Sequence, residues 1–565
     1  MAKRILIVGG VAGGASAAAR LRRLDEHAEI IMFERGPHVS FSNCSLPYHL
    51  SGIVEDSDAL VLMNPEKFQK RYNIEARVNS EVVKINREKK TIAVKDVISG
   101  KTYEEAYDKL ILSPGASPIR PRSIEGIDRP NVFTVRNVVD IERLNRYLKN
   151  NQVQDVAVIG GGFIGVEVAE NLRLAGYNVS LVEFANQILT PFDYDMAQIL
   201  HKEMVDHGVN LVVNDGLSKI GEGFIKTQSG KKIDAQAVVL AIGVRPETKL
   251  AEEAGLEIGE TGAIKVDANY VTSDPYIYAV GDAIEVYHRL LSKPARLALA
   301  GPAQKQARAA ADHMYGIPNR NIGVIGSSSI KLFDLNAAST GLNARTAEAA
   351  GFHFDTVYVI PTDKVGLMPD CNVIHFKLVY EKPTGRILGA QAIGKGNVDK
   401  RIDVIATMIT MNGTLEDLKN LELTYTPMLG TAKDVVNQAA LVALNQLYGK
   451  YREVKVSQVR ELVERGAFIV DVRERNEFEA GHLKNAINIP LSEFRERLDE
   501  IPKDRPVYIH CRSGQRSYNV VMALQHLGYA NVINVSGSYL GISLYEYFND
   551  LVTGREKIVT KYNFK

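Results

Sequence analysis

The chain has 565 residues, 45% of them hydrophobic, and 68 Lys and Arg against 67 Asp and Glu leave a net charge of +1. This length predicts about three or four domains, and the neutral charge excludes a bulk attraction to nucleic acid or anionic membranes. No stretch reaches the roughly 20 apolar residues of a membrane-spanning helix, so we expect a soluble, cytoplasmic protein. Three cysteines, Cys44, Cys371 and Cys511, are too few and too far apart for a disulfide framework or a metal site.

The first predicted element is a buried strand at residues 5–8, followed by a glycine-rich turn at 9–14 and a helix over 15–24. Glycine in such a turn lets backbone N–H groups approach a pyrophosphate at the positive end of the helix. The pattern departs from G-x-G-x-x-G because Val11 occupies the second glycine position. A second strand ends in Glu34, at the spacing where a carboxylate binds ribose hydroxyls.

Two later segments complete this first dinucleotide site. An apolar strand at 110–112 runs into a small-residue turn, and a strand at 276–280 ends in Gly281-Asp282. These segments resemble the flavin-binding halves of pyridine nucleotide-disulfide oxidoreductases. The resemblance implies FAD, with Asp282 accepting a ribityl hydroxyl. The predicted FAD contacts are Gly9, Val11, Ala12, Gly13, Glu34, Arg35, Ser113, Gly115, Gly281 and Asp282.

A second site repeats the pattern with a full G-x-G-x-x-G at residues 160–165, between a strand at 156–159 and a helix over 166–174. The following strand ends in Glu183, which would accept a bond from a ribose 2′-hydroxyl and repel a 2′-phosphate. Residues 184–186 offer no arginine, so we predict NADH, with NADPH as the alternative. The glycine turn at 241–246 resembles the second nicotinamide-domain signature of the same family. The predicted contacts are Gly160, Gly162, Phe163, Ile164, Gly165, Glu183 and Gly243.

Cys44 lies in the segment Ser40-Phe41-Ser42-Asn43-Cys44-Ser45-Leu46-Pro47-Tyr48. We interpret it as a redox nucleophile facing the flavin; the alternative is a small, inert core cysteine. Because no second cysteine lies nearby, either a resolving thiol comes from elsewhere or Cys44 cycles by itself through a mixed disulfide, persulfide or sulfenate. The segment resembles the single-cysteine branch that includes coenzyme A-disulfide reductase, NADH peroxidase and NADH oxidase. With Val-Ala-Gly-Gly-Ala at residues 11–15, the coenzyme A-disulfide reductases match best, over about residues 1–448.

That resemblance implies a coenzyme A-linked sulfur substrate. Cys44 would be the nucleophile, with Asn43 and Ser40 along the pantetheine path. The nucleotide end would be flanked by Ser16, Arg20 and Arg23. A 3′-phospho-ADP group needs cations; the alternative for these residues is an ordinary solvated helix face. The predicted basic cluster is Arg20, Arg22, Arg23, Lys67 and Arg71.

The third segment mixes strands at 373–380 and 387–392 with a helix over 400–411, and carries no cofactor motif. By resemblance it is the dimerisation domain of a homodimer, with the Tyr425 hydroxyl facing the reactive cysteine across the interface and Lys433 on a substrate phosphate. Where the disulfide reductases have a tyrosine pair before a proline, this chain has Gly-Leu-Met-Pro at 366–369, which we expect to open the substrate channel. We interpret Cys371 as a structural bystander.

The last segment has a strand at 507–510 that delivers Cys511 to the start of a helix. Backbone N–H groups curled around a cysteine in this position stabilise its thiolate or a persulfide. The segment resembles a rhodanese domain, which implies that Cys511 carries sulfane sulfur and that Arg512 and Arg516 assist. The loop is shorter than that of cysteine phosphatases. The motifs are Asp471-Val472-Arg473, Gly481-His482 and Cys511-Arg512-Ser513-Gly514-Gln515-Arg516.

The sequence therefore predicts an α/β protein with two Rossmann-like dinucleotide-binding domains as in glutathione reductase, an α+β dimerisation domain and an α/β rhodanese domain. Three functions stay open: a reductase of coenzyme A disulfide, persulfide or polysulfide, an NADH oxidase or peroxidase using a Cys44 sulfenate, and a redox-sensing sulfur relay. We expect no metal, nucleic-acid or membrane partner. The predicted bounds are 1–150 with 251–322 (FAD), 151–250 (NAD(P)H), 323–448 (dimerisation), 451–553 (rhodanese) and an unassigned tail at 554–565.

Overall fold

The computed structural model describes residues 3–564, so Met1, Ala2 and Lys565, at the ends of the first predicted domain and of the tail, lie outside it. The described residues form two compact units. The first runs to Phe184 and also contains Asn214–Val324. The second contains Ala185–Val213 and the chain from Ile325 onward.

Most strands of both units are short. They are β1 Arg4–Val8, β2 Glu29–Phe33, β3 Glu75–Arg77, β4 Ser80–Asn86, β5 Thr91–Asp96, β6 Thr102–Ala106, β7 Lys109–Leu112, β8 Ala116–Pro118, β9 Val132–Phe133, β10 Asp155–Ile159, β11 Asn178–Val182, β12 Asn210–Val212, β13 Leu217–Ile220, β14 Phe224–Thr227, β15 Lys232–Asp234, β16 Ala237–Leu240, β17 Val244–Pro246, β18 Ile277–Ala279, β19 Val286–His288, β20 Lys293–Ala295, β21 Ser327–Leu332, β22 Leu335–Gly341, β23 Phe354–Val359, β24 Ile374–Glu381, β25 Ile387–Gly394, β26 Glu453–Val454, β27 Phe468–Asp471, β28 Ile487–Asn488, β29 Val507–His510 and β30 Val532–Val535.

The helices are α1 Ala12–Leu24, α2 Leu46–Leu50, α3 Pro65–Tyr72, α4 Val138–Asn150, α5 Phe163–Leu174, α6 Tyr194–Asp206, α7 Lys249–Glu253, α8 Ala300–Met314, α9 Ala344–Ala349, α10 Val398–Thr410, α11 Leu415–Asn420, α12 Val435–Leu447, α13 Val459–Glu464, α14 Arg475–Glu479, α15 Gln515–His526 and α16 Ser538–Thr553. Short 3-10 turns cover Asn43–Ser45, Ser57–Leu60, Gly281–Ala283, Val456–Gln458 and Leu498–Glu500.

The first unit is built on two parallel sheets. One has the order β18-β7-β1-β2-β3, and its central strand β1 is buried on both faces, as a covered parallel sheet requires. Ile5 and Ile7 pack on the side of α1 and α8, while Leu6 packs on the opposite side. The other sheet runs β11-β10-β16-β9, all parallel. Each sheet therefore presents the carboxyl ends of its strands along one edge, where the predicted cofactor residues lie.

The second unit contains one antiparallel and one parallel sheet. The antiparallel sheet has the order β21-β22-β25-β24-β23, and α10 packs on β22 and β25. The parallel sheet has the order β26-β30-β29-β27-β28. The predicted fold class is thus confirmed: helix-flanked parallel sheets in the first unit, an α+β segment, and a final α/β segment.

Element bounds differ from the predicted ones by a few residues. The two helices after the glycine turns begin three residues early, at Ala12 and Phe163, because the last glycines of each turn are already helical. The later elements differ by one or two residues, the usual uncertainty of helix and strand ends. The tail, which the sequence left unassigned, belongs to the last sheet's domain. Val559 bridges Leu483, and the Tyr539 hydroxyl donates to the Lys561 carbonyl at 2.6 Å.

Candidate functional site

Gly9 and Gly13 of the first glycine turn are too closely packed to carry side chains. Gly9 has a φ of 94°, and a Cβ there would lie 2.0 Å from the Ser113 carbonyl oxygen. A Cβ on Gly13 would lie 2.5 Å from the Ser113 Oγ. Val11 is tolerated because its φ is −106°. It precedes α1 without a side-chain cap, so the first N–H groups of the helix are available to an anion.

The acidic residue after β2 organises this turn. Glu34 accepts hydrogen bonds from the Gly10 and Gly36 N–H groups at 3.0 and 2.9 Å. The neighbouring Arg35 pairs with Glu247 at 2.6 Å, and Glu247 also pairs with Arg136 at 3.1 Å. The carboxylate predicted for a ribose therefore also fixes the backbone of the turn.

The remaining predicted FAD residues meet at the carboxyl edge of the same sheet. Ser113 and Gly115 follow β7, and Gly281 and Asp282 follow its neighbour β18. Burial raises the pKa of Asp282, and Arg136 opposes that shift. A Cβ on Gly115 would meet no atom within 4 Å. Uncapped helix N–H groups, a glycine-lined approach and a carboxylate at this edge fit a dinucleotide such as FAD.

The second glycine turn has the same construction. Gly160 has a φ of 108°, and a Cβ there would lie 2.4 Å from the Ala241 carbonyl oxygen. Gly162 precedes α5 without a side-chain cap, and a Cβ there would meet nothing within 4 Å. Glu183 accepts from the Gly161 N–H at 2.5 Å. This open backbone surface fits a second pyrophosphate. Of the other predicted contacts, Ile164 is exposed and Gly243 has a φ of 114°.

Cys44 lies in the 3-10 turn just before α2, and its side chain is exposed. The turn is closed by the Ser42 and Ser45 hydroxyls, 2.8 Å apart. Helix α2 packs on α5, and the Ser51 hydroxyl donates to Asn171 of α5 at 2.6 Å. The segment that carries Cys44 is therefore fixed to the helix of the second glycine turn.

Two carboxylates, one on α5 and one after β18, act on this thiol. Desolvation raises the pKa of Cys44, and the charges of Glu167 and Asp282 raise it further. Burial and the neighbouring Glu170 raise the pKa of Glu167 itself to about 7. The sequence predicted Asp282 but missed Glu167. Its position two residues after Gly165, within α5, was the only available signal.

The predicted substrate cations are not equivalent. Arg20 is paired with Asp312 at 2.5 Å, whereas Arg23 and Arg71 are exposed. Arg22 is 5% exposed and donates to four backbone carbonyls. Its inclusion in an accessible basic cluster was wrong, because the guanidinium is buried and four of its N–H donors are already engaged. Of the other predicted substrate contacts, Ser16 on α1 is half-buried and Asn43 is exposed. Ser40 has a φ of 49°, and its N–H donates to the Gly10 carbonyl.

The predicted dimer-interface residues lie in the second unit. Tyr425 is 48% exposed in the loop between α11 and α12, and Lys433 is exposed in the same loop. Leu367, in the Gly-Leu-Met-Pro segment at 366–369, is 89% exposed. The Cys371 Sγ lies 3.5 Å from the Lys364 carbonyl oxygen.

Cys511 lies at the end of β29 in a cradle of hydrogen-bond donors. The Gly514 N–H donates to its Sγ at 3.1 Å, and the Ser517 and Ser538 hydroxyls lie 3.6 and 3.9 Å from the same atom. Gly514 has a φ of 104°, a conformation that favours glycine. The thiol is buried. Such a cradle stabilises a thiolate or a terminal persulfide.

Arg516, predicted to assist Cys511, is held by an acid that the sequence did not single out for a role. Its two terminal nitrogens contact the two oxygens of Glu477 at 2.6 and 2.7 Å. Glu477 lies on α14, and Arg516 lowers its pKa. The charge of Glu477 also acts on Arg512. One carboxylate thus serves both loop arginines.

The cradle also rests on the antiparallel sheet of the second unit. The Tyr539 and Leu540 N–H groups of α16 donate to the Cys511 and Arg512 carbonyls, both at 3.0 Å. Gly537, just before α16, lies against the ring of Tyr358 on β23. The Tyr358 hydroxyl lies 2.6 Å from Nδ1 of His375, whose pKa burial lowers to about 3. Sequence reasoning missed this contact.

Among residues 3–564, no helix is long and apolar enough to cross a membrane. Glu203, His207 and Asp334 bring ligand-type atoms within 4.8 Å of one another. Glu203 already accepts from the Asp334 N–H at 2.9 Å, and Lys395 pairs with Asp334 at 3.2 Å. These contacts account for the cluster by ordinary surface pairing.

Three segments of this chain match known protein families. Residues 3–307 match the family described as pyridine nucleotide-disulphide oxidoreductase, residues 327–435 its dimerisation domain, and residues 455–544 the rhodanese-like domain. A coenzyme A disulfide reductase from Staphylococcus epidermidis is 33% identical over 435 residues, 77% of this chain and 98% of that protein.

Two solved structures extend the similarity through the last domain. Reduced CoADR-RHD of Bacillus anthracis is 45% identical, with a TM-score of 0.93 over 96% of this chain and 98% of the other. A NAD-dependent persulfide reductase from A. fulgidus is 34% identical, with a TM-score of 0.91 over 96% of this chain and 100% of the other.

Proposed function

Because the chain belongs to the pyridine nucleotide-disulphide oxidoreductase family and carries a rhodanese domain, we propose that it reduces coenzyme A-linked sulfur species through Cys44. The substrates would be coenzyme A persulfide, polysulfide or disulfide, and Cys511 would handle sulfane sulfur. The position of Cys44 carries this proposal. Its exposed thiol is influenced by Asp282, at the carboxyl edge of one parallel sheet, and by Glu167, on the helix after the second glycine turn.

The two glycine turns supply the cofactor sites in this proposal. When bound at the first turn, FAD would pass the electron pair of a nicotinamide to sulfur. The residues that would hold it are the N–H groups at the start of α1, Glu34 and Asp282. At the second turn, Glu183 favours NADH, because its carboxylate repels a 2′-phosphate.

Cys44 would act as the attacking thiolate. Attack on the inner sulfur of R–S–SH forms the mixed disulfide Cys44–S–S–R and releases HS⁻; attack on the outer sulfur forms Cys44–S–SH and releases RS⁻. Two electrons and one proton then return the cysteine to its thiolate and release RSH or H₂S. Because the pKa of Glu167 is about 7, its carboxyl group can hold or release that proton near neutral pH.

The nucleotide end of coenzyme A would lie near α1 and α3 in this proposal. Arg23, Lys67 and Arg71 are the exposed cations of the predicted cluster. Arg20 would contact substrate from within its ion pair with Asp312. The dimerisation domain supports a homodimer, in which Tyr425 and Lys433 of one protomer would serve the Cys44 site of its partner. The exposure of Tyr425 is consistent with such a contact.

The direct test is steady-state NADH oxidation with coenzyme A persulfide, coenzyme A disulfide and peroxide as separate acceptors. We expect persulfide to be the best acceptor and Cys44→Ser to reduce its turnover at least about a hundredfold, because the nucleophile is lost. Cys371→Ser is the matched control and should keep wild-type rates. Higher turnover of peroxide than of either thiol compound would favour an oxidase or peroxidase instead.

Cys511→Ser separates the two thiols. We expect it to keep NADH-dependent reduction of coenzyme A disulfide and to lose sulfur transfer from a donor to cyanide. If the flavin is reduced by NADH but no sulfur acceptor supports multiple turnover, the protein is a sensor or relay rather than a reductase.

A further inference from the structure

Glu477 is the counter-ion of the Cys511 cradle. Its two carboxylate oxygens hold the two terminal nitrogens of Arg516 at 2.6 and 2.7 Å. A paired geometry of this kind is the strongest form of an arginine–carboxylate contact. Arg512, the other loop arginine, also lies within the electrostatic influence of Glu477. The negative charge of Glu477 therefore weakens the attraction of both arginines for an anionic sulfur donor.

The charge balance at the cradle disfavours strongly anionic donors. Two arginines face one carboxylate and, when Cys511 is ionised, one thiolate, so the group is close to neutral. The other donors around the sulfur are uncharged: the Gly514 N–H and the Ser517 and Ser538 hydroxyls. A dianion entering this buried site would lose its hydration without gaining a net positive field. A donor whose reacting end is neutral would lose much less.

We infer that Glu477 determines the donor class of the sulfurtransferase site, selecting organic persulfides and rejecting dianionic donors such as thiosulfate. The inference rests on the proposed sulfur-transfer role of Cys511 and deepens it by assigning the substrate class. Glu477 acts here through the two arginines, as a specificity-determining and positioning residue that does not itself bond to the transferred sulfur.

Both donor reactions load the same sulfur onto Cys511. With a persulfide, the Cys511 thiolate attacks the outer sulfur of R–S–SH, the S–S bond breaks, and Cys511–S–S⁻ and RSH result after proton transfer. With thiosulfate, the thiolate attacks the outer sulfur and sulfite leaves with the bonding electron pair, giving Cys511–S–S⁻ and SO₃²⁻. Only the second reaction requires the site to hold a dianion and to release one.

The test measures loading of Cys511 in the full-length chain with Cys44 and Cys371 both replaced by serine, so that a mass gain of one sulfur atom reports Cys511 alone. The donors are thiosulfate and 2-hydroxyethyl persulfide, whose organic part is uncharged. We expect the persulfide to load faster. In Glu477→Gln, the ratio of the thiosulfate rate to the persulfide rate should rise about three- to tenfold, since one negative charge is removed near the sulfur.

Three outcomes decide the matter. If neither donor loads Cys511, the proposed sulfurtransferase role fails. If the persulfide loads Cys511 but Glu477→Gln leaves the rate ratio unchanged, only the inference about Glu477 is overturned. Glu477→Asp keeps the charge and should keep the wild-type ratio; an equal change in Glu477→Asp and Glu477→Gln would also overturn it, because geometry rather than charge would then be the cause.

Two controls keep the experiment interpretable. Glu461→Gln removes the same charge from the exposed face of α13, where Glu461 is 78% exposed, and should leave the ratio unchanged. Arg516→Gln removes the paired cation while Glu477 stays, so it should lower the thiosulfate-to-persulfide ratio. Because this variant does not alter the Glu477 side chain, it tests the inference even if Glu477→Gln does not fold.

Discussion

Gly537 lies directly against Tyr358: a Cβ on this glycine would fall 2.7 Å from Cε1 of the tyrosine ring. Gly537 precedes the helix whose first residues bind the Cys511 loop, and Tyr358 lies on a strand of the antiparallel sheet. The position of the cradle is therefore set in part by a domain that carries no sulfurtransferase motif.

Gly537→Ala should lower the free energy of unfolding by about 2–4 kcal/mol, because it combines an unfavourable φ of 72° with this overlap. Gly554→Ala is the matched control. It has a φ of 64° at the other end of α16 with no atom within 4 Å of the added Cβ, so it should cost only about 1 kcal/mol. Urea unfolding monitored by fluorescence measures both. Equal losses would mean that the contact with Tyr358 contributes nothing.

Glu167→Gln should make Cys44 more reactive. The Glu167 charge raises the pKa of Cys44 after desolvation, so removing it should increase the thiolate fraction at about pH 8 and speed alkylation by iodoacetamide about two- to fivefold. The protein should carry Cys371→Ser and Cys511→Ser, so that Cys44 is the only thiol. Glu104→Gln, on exposed β6, is the control and should leave the alkylation rate as it is.

The same residue gives the stability a pH dependence. The pKa of Glu167 is raised from 4.5 to about 7 in the folded state. The contribution of this carboxyl group to the unfolding free energy is therefore fully present below about pH 4.5, and it is lost as pH rises toward 7. The difference in unfolding free energy between Glu167→Gln and the unmodified protein should therefore grow by about 1–3 kcal/mol over this range, in favour of the variant. Denaturant unfolding at pH 4.5 and 7.5 measures it, and a constant difference would contradict the raised pKa.

Glu183→Gln should reduce the preference for NADH over NADPH about tenfold, since the carboxylate no longer repels a 2′-phosphate. The amide oxygen can still accept from the Gly161 N–H, so the turn should persist. Glu34→Gln makes the same change at the first turn, where the acid likewise accepts a glycine N–H. It should leave the NADH-to-NADPH ratio of kcat/KM unchanged, and a fall in both variants would point to a general loss of structure.

Arg23→Gln and Arg71→Gln should each raise KM for coenzyme A disulfide about three- to tenfold with little change in kcat, because an exposed cation would be lost from the phosphate end. Lys249→Gln removes another exposed positive charge, on α7, where the side chain is 86% exposed, and should leave KM unchanged. Arg22→Gln should instead lower the unfolding free energy by about 2–4 kcal/mol, because four partly buried backbone carbonyls lose their charged donor. A selective rise in KM in Arg22→Gln would contradict the structural role assigned to it.

Local chemistry made much of this molecule predictable. The two glycine turns, the acids that follow them and the Cys511 loop each lie within a short stretch, so their backbone requirements are visible in the residues themselves. The influence of Glu167 on Cys44 and the contact of Tyr358 with Gly537 depend on segments far apart along the chain. The burial of Arg22 was also not predictable, because helix periodicity alone did not distinguish a buried guanidinium from an exposed one.

The last residues of the chain contact two helices, α16 and α6, that lie far apart in the sequence. The Lys561 carbonyl accepts from Tyr539, and the Phe564 ring lies against Lys202 of α6 at 4.2 Å. A chain ended at Thr553 would therefore lose the residues that contact both its last helix, α16, and helix α6, some 340 residues earlier in the sequence. A sulfurtransferase domain expressed alone would need to include these final residues, and it would still lack α6, the helix that Phe564 contacts.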